Sequence, residues 1–312
     1  MRQGEIASKG KWTGSPSGGV KAPEPIILPV PECRFVRTAA RLEAISPNHA
    51  IEPWLRFMAT LARAQAAAAS APIVLPTFDP IDLKIAVQGE MPPIAADGHR
   101  RPPEWREFLA IVIARLEEAI IGNEIRIVLT DLRRLDAAAI EFLADEFIHG
   151  EIAESDAGAA LFIAAALQVY FAKAAASLQV SDLGLLPQRG LCPCCGSTPV
   201  AGTITASGDA PGARYLHCSL CSTAWNHVRT ICITCGESRS IALEGVEGDA
   251  GTVKAETCKD CGTYSKMIYL SKDTGADPYA DDLASLGLDL MVAEHGWARH
   301  APNPLLLSGN QA

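Results

Sequence analysis

The chain has 312 residues, 48% of them apolar and 20% charged, a mixture suited to two or three globular domains and unlike a disordered polymer. Its formal net charge of -9 disfavours partners bound through phosphates, so neither nucleic acid nor an anionic membrane surface is expected as a partner. Cysteines held as thiolates around divalent ions would make it more acidic still.

Residues 1–31 are rich in glycine and proline and hold no apolar run longer than Ile26-Ile27-Leu28. They read as a flexible tail without the hydrophobic region of a signal peptide. A short helix is expected over Phe35–Ile45. Trp54, Phe57, Met58, Leu61 and Ala62 then recur at helical spacing, with Arg56 and Arg63 off the stripe. Another short helix is expected around Ile81–Ala86. After Pro102-Pro103 a helix opens with Glu104 in its first turn, carries Trp105, Phe108, Leu109, Val112, Leu116 and Ile120 on one face, and stops at Gly122-Asn123. Ile140, Leu143, Ala144 and Phe147 mark a further helix ending near Gly150. Ala159–Leu178 is apolar almost all round. Gln168 and Lys173 interrupt it, which favours a central buried helix over a membrane span. Ile73–Leu75 and Ile125–Leu129 have strand-like composition against this helical background. The aromatic residues of the stripes read as core, and no catalytic motif stands among them.

Composition changes between Asp182 and Gly190, where Pro187 and Gly190 mark a connection. Of ten cysteines, only Cys33 precedes residue 192. Cys192-x2-Cys195 is followed after 22 residues by Cys218-x2-Cys221, and Cys232-x2-Cys235 after 22 residues by Cys258-x2-Cys261. The second set lies 40 positions after the first, as do Gly236 after Gly196, Gly248-Asp249-Ala250 after Gly208-Asp209-Ala210, and Thr263 after Thr223. Two copies of one small module account for this. Each C-x2-C turn can aim two sulfurs at one ion, and a glycine after the second cysteine (Gly196, Gly236, Gly262) tolerates the positive φ of such a turn. Two turns supply four thiolates at about 2.3 Å from a tetrahedral ion, a closed set that suits zinc or a single iron. Gly208-Asp209 forms a turn between hairpin strands Val200–Thr205 and Arg214–His217. A module this small builds little core, so the ion carries much of its folding free energy.

Four C-x2-C pairs leave no ligand for His217 or His227 to supply, and neither a thioredoxin-type dithiol nor a four-iron cluster fits these gaps. Spacing alone leaves open a swapped pairing with Cys221 and Cys232 in one site. Cys194 lies inside the first turn and is read as a non-ligand, Cys33 as a small apolar residue. A closed set has no open position for substrate or activated water, and no G-x-S-x-G, Walker or dinucleotide pattern occurs, so the chain does not read as an enzyme. After the cysteines, Asp281 and Asp282 suit the first turn of a C-terminal helix carrying Leu283, Leu286, Leu290 and Met291 and stopped by Gly296.

The words around these cysteines resemble the FdhE family of formate dehydrogenase accessory proteins. They are Tyr215-Leu-His-Cys-Ser-Leu-Cys221, Val228-Arg229, Cys232-x2-Cys-Gly236, Val253-Lys-Ala-Glu-Thr-Cys258, Tyr269-Leu-x-Lys-Asp273, Asp277-Pro278, Ala280-Asp-Asp-Leu-Ala284 and Asn303-Pro304-Leu305. Ala165-Ala-Leu-Gln-Val-Tyr170, Leu55-Arg-Phe57 and Ala64-Gln65 are similar upstream. The chain departs from the family where Trp225-Asn226-His227 replaces a Trp-His pair and where Gly262 replaces a common histidine. The resemblance implies an α+β protein: a helical N-terminal domain, two tandem rubredoxin-like or zinc-ribbon metal modules and a C-terminal helix. With it goes a division into a tail (1–31), helical domain (32–185), first module (186–228), second module (229–273) and C-terminal helix and tail (274–312). It implies two tetrahedral metal ions, each in a tetra-cysteine set, iron favoured and zinc possible, held by the eight cysteines of the four pairs. It also implies a cytoplasmic maturation factor for formate dehydrogenase that binds the catalytic subunit before export. Two other functions are considered: a rubredoxin-like electron-transfer protein, and a nucleic-acid-binding zinc ribbon. Residues 192–261 hold five basic against seven acidic side chains, which does not favour the last.

Overall fold

A twenty-residue helix buried on nearly every side organises the first half of the protein. The computed structural model describes residues 21–119, 122–301 and 303–306. In chain order the helical part holds α1 (Pro31–Ile45), α2 (Glu52–Ala69), α3 (Pro80–Gln88), α4 (Trp105–Glu118), α5 (Asn123–Leu132), α6 (Ala137–His149) and α7 (Ala157–Ala176). α7 is the expected Ala-rich segment. The stretch Glu154–Ala176 is long and apolar enough to cross a membrane, yet 78% of its most apolar window is buried inside the protein. Its small residues let α2, α4 and α6 approach closely. The predicted stripe of α4 faces this centre, with Trp105, Phe108, Leu109, Val112 and Leu116 all buried. Of the predicted α2 stripe Met58, Leu61 and Ala62 are buried and Trp54 and Phe57 half-buried, while Leu55, outside that stripe, is buried as well. Ile120, assigned to the same face, lies outside the described residues.

Four expectations are corrected. Ile125–Leu129, strand-like in composition, lies within α5, because one of its faces, Leu129 with Leu132, packs into the core. Ile73–Leu75 belongs to no strand and runs as an extended connection between α2 and α3. Residues 1–20 lie outside the described residues, but the expected tail up to Pro31 is not all loose. Ile26–Ile27 forms β1, and Pro31 already opens α1. Cys33 is exposed on α1 and fills no core position.

The second half is one sheet built from two copies of a three-stranded unit. The first copy is β2 (Pro199–Ile204), β3 (Arg214–Cys218) and β4 (Ala224–Asn226). The second is β5 (Ile241–Glu244), β6 (Val253–Cys258) and β7 (Thr263–Tyr269), each overlapping its counterpart shifted by the 40-residue repeat. The order across the sheet is β1-β4-β3-β2-β7-β6-β5. Hairpins are antiparallel within each copy, whereas the copies join by a parallel pairing of β2 with β7, Gly202 to Met267 through Ile204 to Tyr269. The sheet therefore repeats by translation. At the junction a Cβ on Gly202 would meet Met267 Sδ at 2.6 Å, so the Met267 side chain lies across the glycine and would have to shift for a larger residue.

The C-terminal segment holds two short helices, α8 (Ala280–Ala284) and α9 (Leu286–Glu294), and β8 (Ala298–Arg299), which pairs parallel to β7. The single expected helix is broken at Ser285. Lys266, fully buried on β7, donates through Nζ to the carbonyls of Asp282 (2.8 Å) and Ser285 (3.2 Å), which draws the backbone out of helical register. The apolar face is consequently Leu288 and Val292, while Leu290 and Met291 are exposed. Asp281 and Asp282 do more than complement a helix dipole. Asp281 accepts from Arg41 of α1 at 2.9 and 2.7 Å, and Asp282, fully buried, meets Lys266, Arg299 and Asn303. Just ahead of α8, Asp277 accepts from the N–H groups of Tyr279 and Ala280 and from Thr38 Oγ1. Lys266 and Asp282 belong to a buried network that also holds Asp289 and Arg299, so loss of either one leaves the other still partnered.

The seams and the buried histidines each lead to a measurement. A Cβ on Gly190 would stand 2.2 Å from the carbonyl oxygen of Ile233, across the contact between the linker and the second copy. Gly190→Ala therefore costs about 1–3 kcal/mol by overpacking, measured by denaturant unfolding. Burial depresses His217 and His227 from 6.5 to about 4, with nearby arginines adding to the effect. Both are neutral in the fold and take up protons on unfolding. Their contribution is full above pH about 6.5 and is lost as pH falls toward about 4. The thermal midpoint should drop across that window, and His227→Gln should flatten the drop.

Candidate metal centres

Each centre is assembled from two turns at strand ends. In the first copy, Cys192 and Cys195 stand on the turn before β2, and Cys218 and Cys221 at the end of β3 and on the turn that follows. The turns close locally in the same way in both copies. Cys192 N–H donates to Ser197 O (2.9 Å) and Gly196 N–H to Cys192 O (2.9 Å); Cys232 N–H donates to Glu237 O (2.8 Å) and Gly236 N–H to Cys232 O (3.1 Å). Gly196, Gly236 and Gly262 adopt φ of +77°, +78° and +70°, as the turn demands. The fourth such position is Ser222, at φ +63°, held by Arg34 Nε donating to its hydroxyl at 3.2 Å. Cysteine spacing carries no sign of it, because serine has no preference for that conformation.

The four sulfurs of Cys192, Cys195, Cys218 and Cys221 lie within 4.8 Å of one another, and so do those of Cys232, Cys235, Cys258 and Cys261. The swapped pairing left open by spacing is therefore not adopted. Nearest separations are 3.5 Å (Cys192–Cys221) and 3.4 Å (Cys195–Cys218) in the first set, and 3.8 Å (Cys232–Cys261) and 3.7 Å (Cys235–Cys258) in the second. These are far from the ~2.05 Å of a disulfide and close to the edge of about 3.8 Å in a tetrahedron with 2.3 Å metal–sulfur bonds. Backbone N–H groups of Cys194 (3.4 Å), Leu220 (3.4 Å) and Cys221 (3.3 Å) point at sulfurs of the first set, as they would to stabilise thiolate charge. Thr223 Oγ1 lies 3.2 Å from Cys221 Sγ and Thr263 Oγ1 3.1 Å from Cys261 Sγ, so the repeat preserves this contact as well. Both sets can thus hold an ion.

Burial of the first set pushes the thiols of Cys192, Cys218 and Cys221 well up, while hydrogen bonds from its neighbours hold Cys195 low despite the same burial. Four sulfurs in an apolar core can share negative charge only around a cation. Cys194, buried beside them, is outside the set, and its carbonyl accepts from Ile94 N–H at 3.1 Å. His217 hydrogen-bonds Thr203 (2.9 Å) and His227 faces Arg214 (2.7 Å); neither belongs to a cysteine set. Fully buried Arg214 also donates to Glu256 of the second copy at 2.6 Å and so ties the copies together.

The helical part grips the first centre directly. Gln65 Nε2 on α2 donates to Gln168 Oε1 on α7 (2.9 Å), and Gln168 Nε2 donates to Ser219 O between Cys218 and Cys221 (2.8 Å). Tyr279 donates to Cys218 O at 3.2 Å, and the Arg34 guanidinium lies 3.7 Å from the Tyr279 ring centre. Gln65, Gln168 and Tyr279 were not singled out as functional by sequence reasoning, although the first two fall within words shared with the family.

Family models named FdhE N-terminal, FdhE central domain and FdhE C-terminal domain match residues 23–186, 191–229 and 230–306. A protein FdhE homolog from Edwardsiella ictaluri is 38% identical over 299 residues, 95% of each chain, and one from Pseudomonas aeruginosa is 36% identical over 89% of this chain and 91% of its own. The crystal structure of the FdhE protein from Pseudomonas aeruginosa superposes with a TM-score of 0.83 at 34% identity, covering 92% of this chain and all of that one. Sequence matches from the first strand to the C-terminal segment and the shared α+β fold agree, and the chain belongs to the FdhE family.

Proposed function

We propose that this protein is a cytoplasmic accessory factor for formate dehydrogenase, binding the catalytic subunit before export and not itself an enzyme. The observation that carries the reading is the family match along almost the whole chain, from the helical part through both cysteine sets. In this reading Cys192, Cys195, Cys218 and Cys221 hold one ion, and Cys232, Cys235, Cys258 and Cys261 hold the other. Iron is the metal the resemblance implies, and zinc fits the same sulfurs. All four positions of each ion are filled by the chain, so the ions supply rigidity, the first inside the core, with no vacant position for a small substrate.

A tagged copy recovered from anaerobic cells should retain the formate dehydrogenase catalytic subunit. Its deletion should abolish formate oxidation. No recovered subunit under gentle conditions, together with unchanged formate oxidation in the deletion strain, refutes the reading.

The ligand assignment has its own check. Cys218→Ser and Cys258→Ser should each lower bound metal from about two ions per chain to about one, as expected when a closed set of four loses a member. Cys218→Ser should also cost far more stability than the ~1 kcal/mol of a typical substitution, because its set lies in the main core. Unchanged metal content in either variant would show that the assignment is wrong.

A further inference from the structure

The two cysteine sets share ligand spacing, turn geometry and threonine contacts, and Cys232 and Cys258 are buried like their counterparts, yet the other two members of the second set are not. All four cysteines of the first set are buried at 0–1% exposure and belong to the main apolar core. In the second set Cys235 is exposed and Cys261 half-buried, and none of the four belongs to an apolar cluster. The carbonyls of the first pair of turns are taken by the rest of the protein. Ile94 N–H donates to Cys194 O, Ala96 N–H to Cys195 O at 2.8 Å, Gln168 to Ser219 O and Tyr279 to Cys218 O. Among the described residues no hydrogen bond reaches the carbonyls of Thr234, Cys235 or Lys259 at the corresponding positions, and the C-terminal segment meets the second set at its edge, where Ala298 N–H donates to Gly262 O at 2.9 Å. Where the first turn has buried Cys194, the second has Thr234, its hydroxyl 2.8 Å from both Thr263 Oγ1 and His300 Nδ1.

We propose that the two centres have separate duties: the first is a permanent structural ion, and the second is an exchangeable site that an external soft donor enters from the Cys235 side. The proposal rests on the ligand reading given above. Exchange at a filled tetrahedron needs an incoming donor to reach the ion while one resident ligand departs. At the first centre every approach passes through packed core, so departure requires the helical part to separate from the turns. At the second centre the Cys235 sulfur already meets solvent. An incoming thiolate or aromatic nitrogen donor forms its bond to the ion as the Cys235–metal bond breaks. Cys235 leaves with its electron pair and takes a proton from water, the ion keeps its oxidation state, and no electron is transferred. The first centre and the helical core stay intact throughout, since none of the second set's four cysteines belongs to the apolar core, which the second turn enters through Ile233.

The test uses the full chain loaded with zinc, with pyridylazo-resorcinol as the competing ligand and its colour change as the readout. Two ions should leave in two phases of equal size, the faster by about tenfold or more, the range over which groups surrounding a site alter metal binding. After the first phase the thermal midpoint of the helical signal should be unchanged. Brief iodoacetamide treatment read by mass spectrometry should then label Cys235 and its three partners, along with exposed Cys33, but not Cys192, Cys195, Cys218 or Cys221. Cys258→Ser should show only the slow phase. Two ions leaving at one rate, or labelling of the first set during the fast phase, overturns the division of duties while leaving the ligand reading in place. A content other than two ions before chelator is added overturns the ligand reading and this proposal together.

Discussion

Everything in this fold depends on keeping four sulfurs together inside an apolar core. Sulfurs that carry negative charge cannot be buried unless a cation and directed N–H groups answer that charge. The chain supplies the donors through the tight turns at Cys192–Gly196 and Cys218–Ser222, and the turns then expose their own carbonyls to the interior. Those carbonyls need partners. Gln168, set in the middle of an otherwise apolar α7, supplies one and is itself held by Gln65; Tyr279 and the 94–96 strap supply others. Of the polar interruptions of α7, Gln168 is thus the one that docks the helical domain on a metal-binding turn, while Lys173 donates to Ala69 O at 2.8 Å.

The rest of the second half is arranged by duplication. Because the copies join β2 to β7 in parallel, each keeps the same orientation, and only the first cysteine set lies in the main core; the second copy enters that core through Ile233 and Met267. Two buried cations then tie the sheet together, one across the seam and one to the C-terminal segment. Arg214 reaches Glu256 across the copies, and Lys266 anchors the C-terminal segment through Asp282 and Asp289 at 2.6 Å. Their value is in fixing orientation. An apolar seam would slide along the strand direction, whereas a buried charge fits only where its partner stands.

Much of this was legible in the chain, for reasons that can be named. The stripes of α2 and α4 were clear because one face packs on α7 and the other meets water. The cysteine sets were clear because metal geometry fixes spacing more tightly than apolar packing does. Ile125–Leu129 misled because β-branched composition suggests a strand, while burial at Leu129 and Leu132 needs only helical spacing. The C-terminal helix was misplaced because its break is imposed by Lys266, distant in sequence. β1 was invisible since two residues carry no periodicity, and the β2–β7 pairing because no local pattern says which strand edges meet.

Duplication also explains why identical ligands need not have identical roles. A translated repeat places one copy against the helical domain and the other at the far side of the sheet, whatever the local sequence of each. Once the first turns are enclosed, their neighbours are read for packing: Cys194 is buried and Ser222 is tied to Arg34 in a conformation that serine adopts at a cost. The second turns face no such demand. They keep Gly262 at the matching position and place Thr234 beside His300, where the first copy has core. The copies diverge along most of their length and agree chiefly in the ligand turns, at the cysteines themselves, Gly196 with Gly236 and Thr223 with Thr263. What separates one centre from the other is the shell of carbonyl partners, and that shell comes from the helices and the C-terminal segment, outside the repeat.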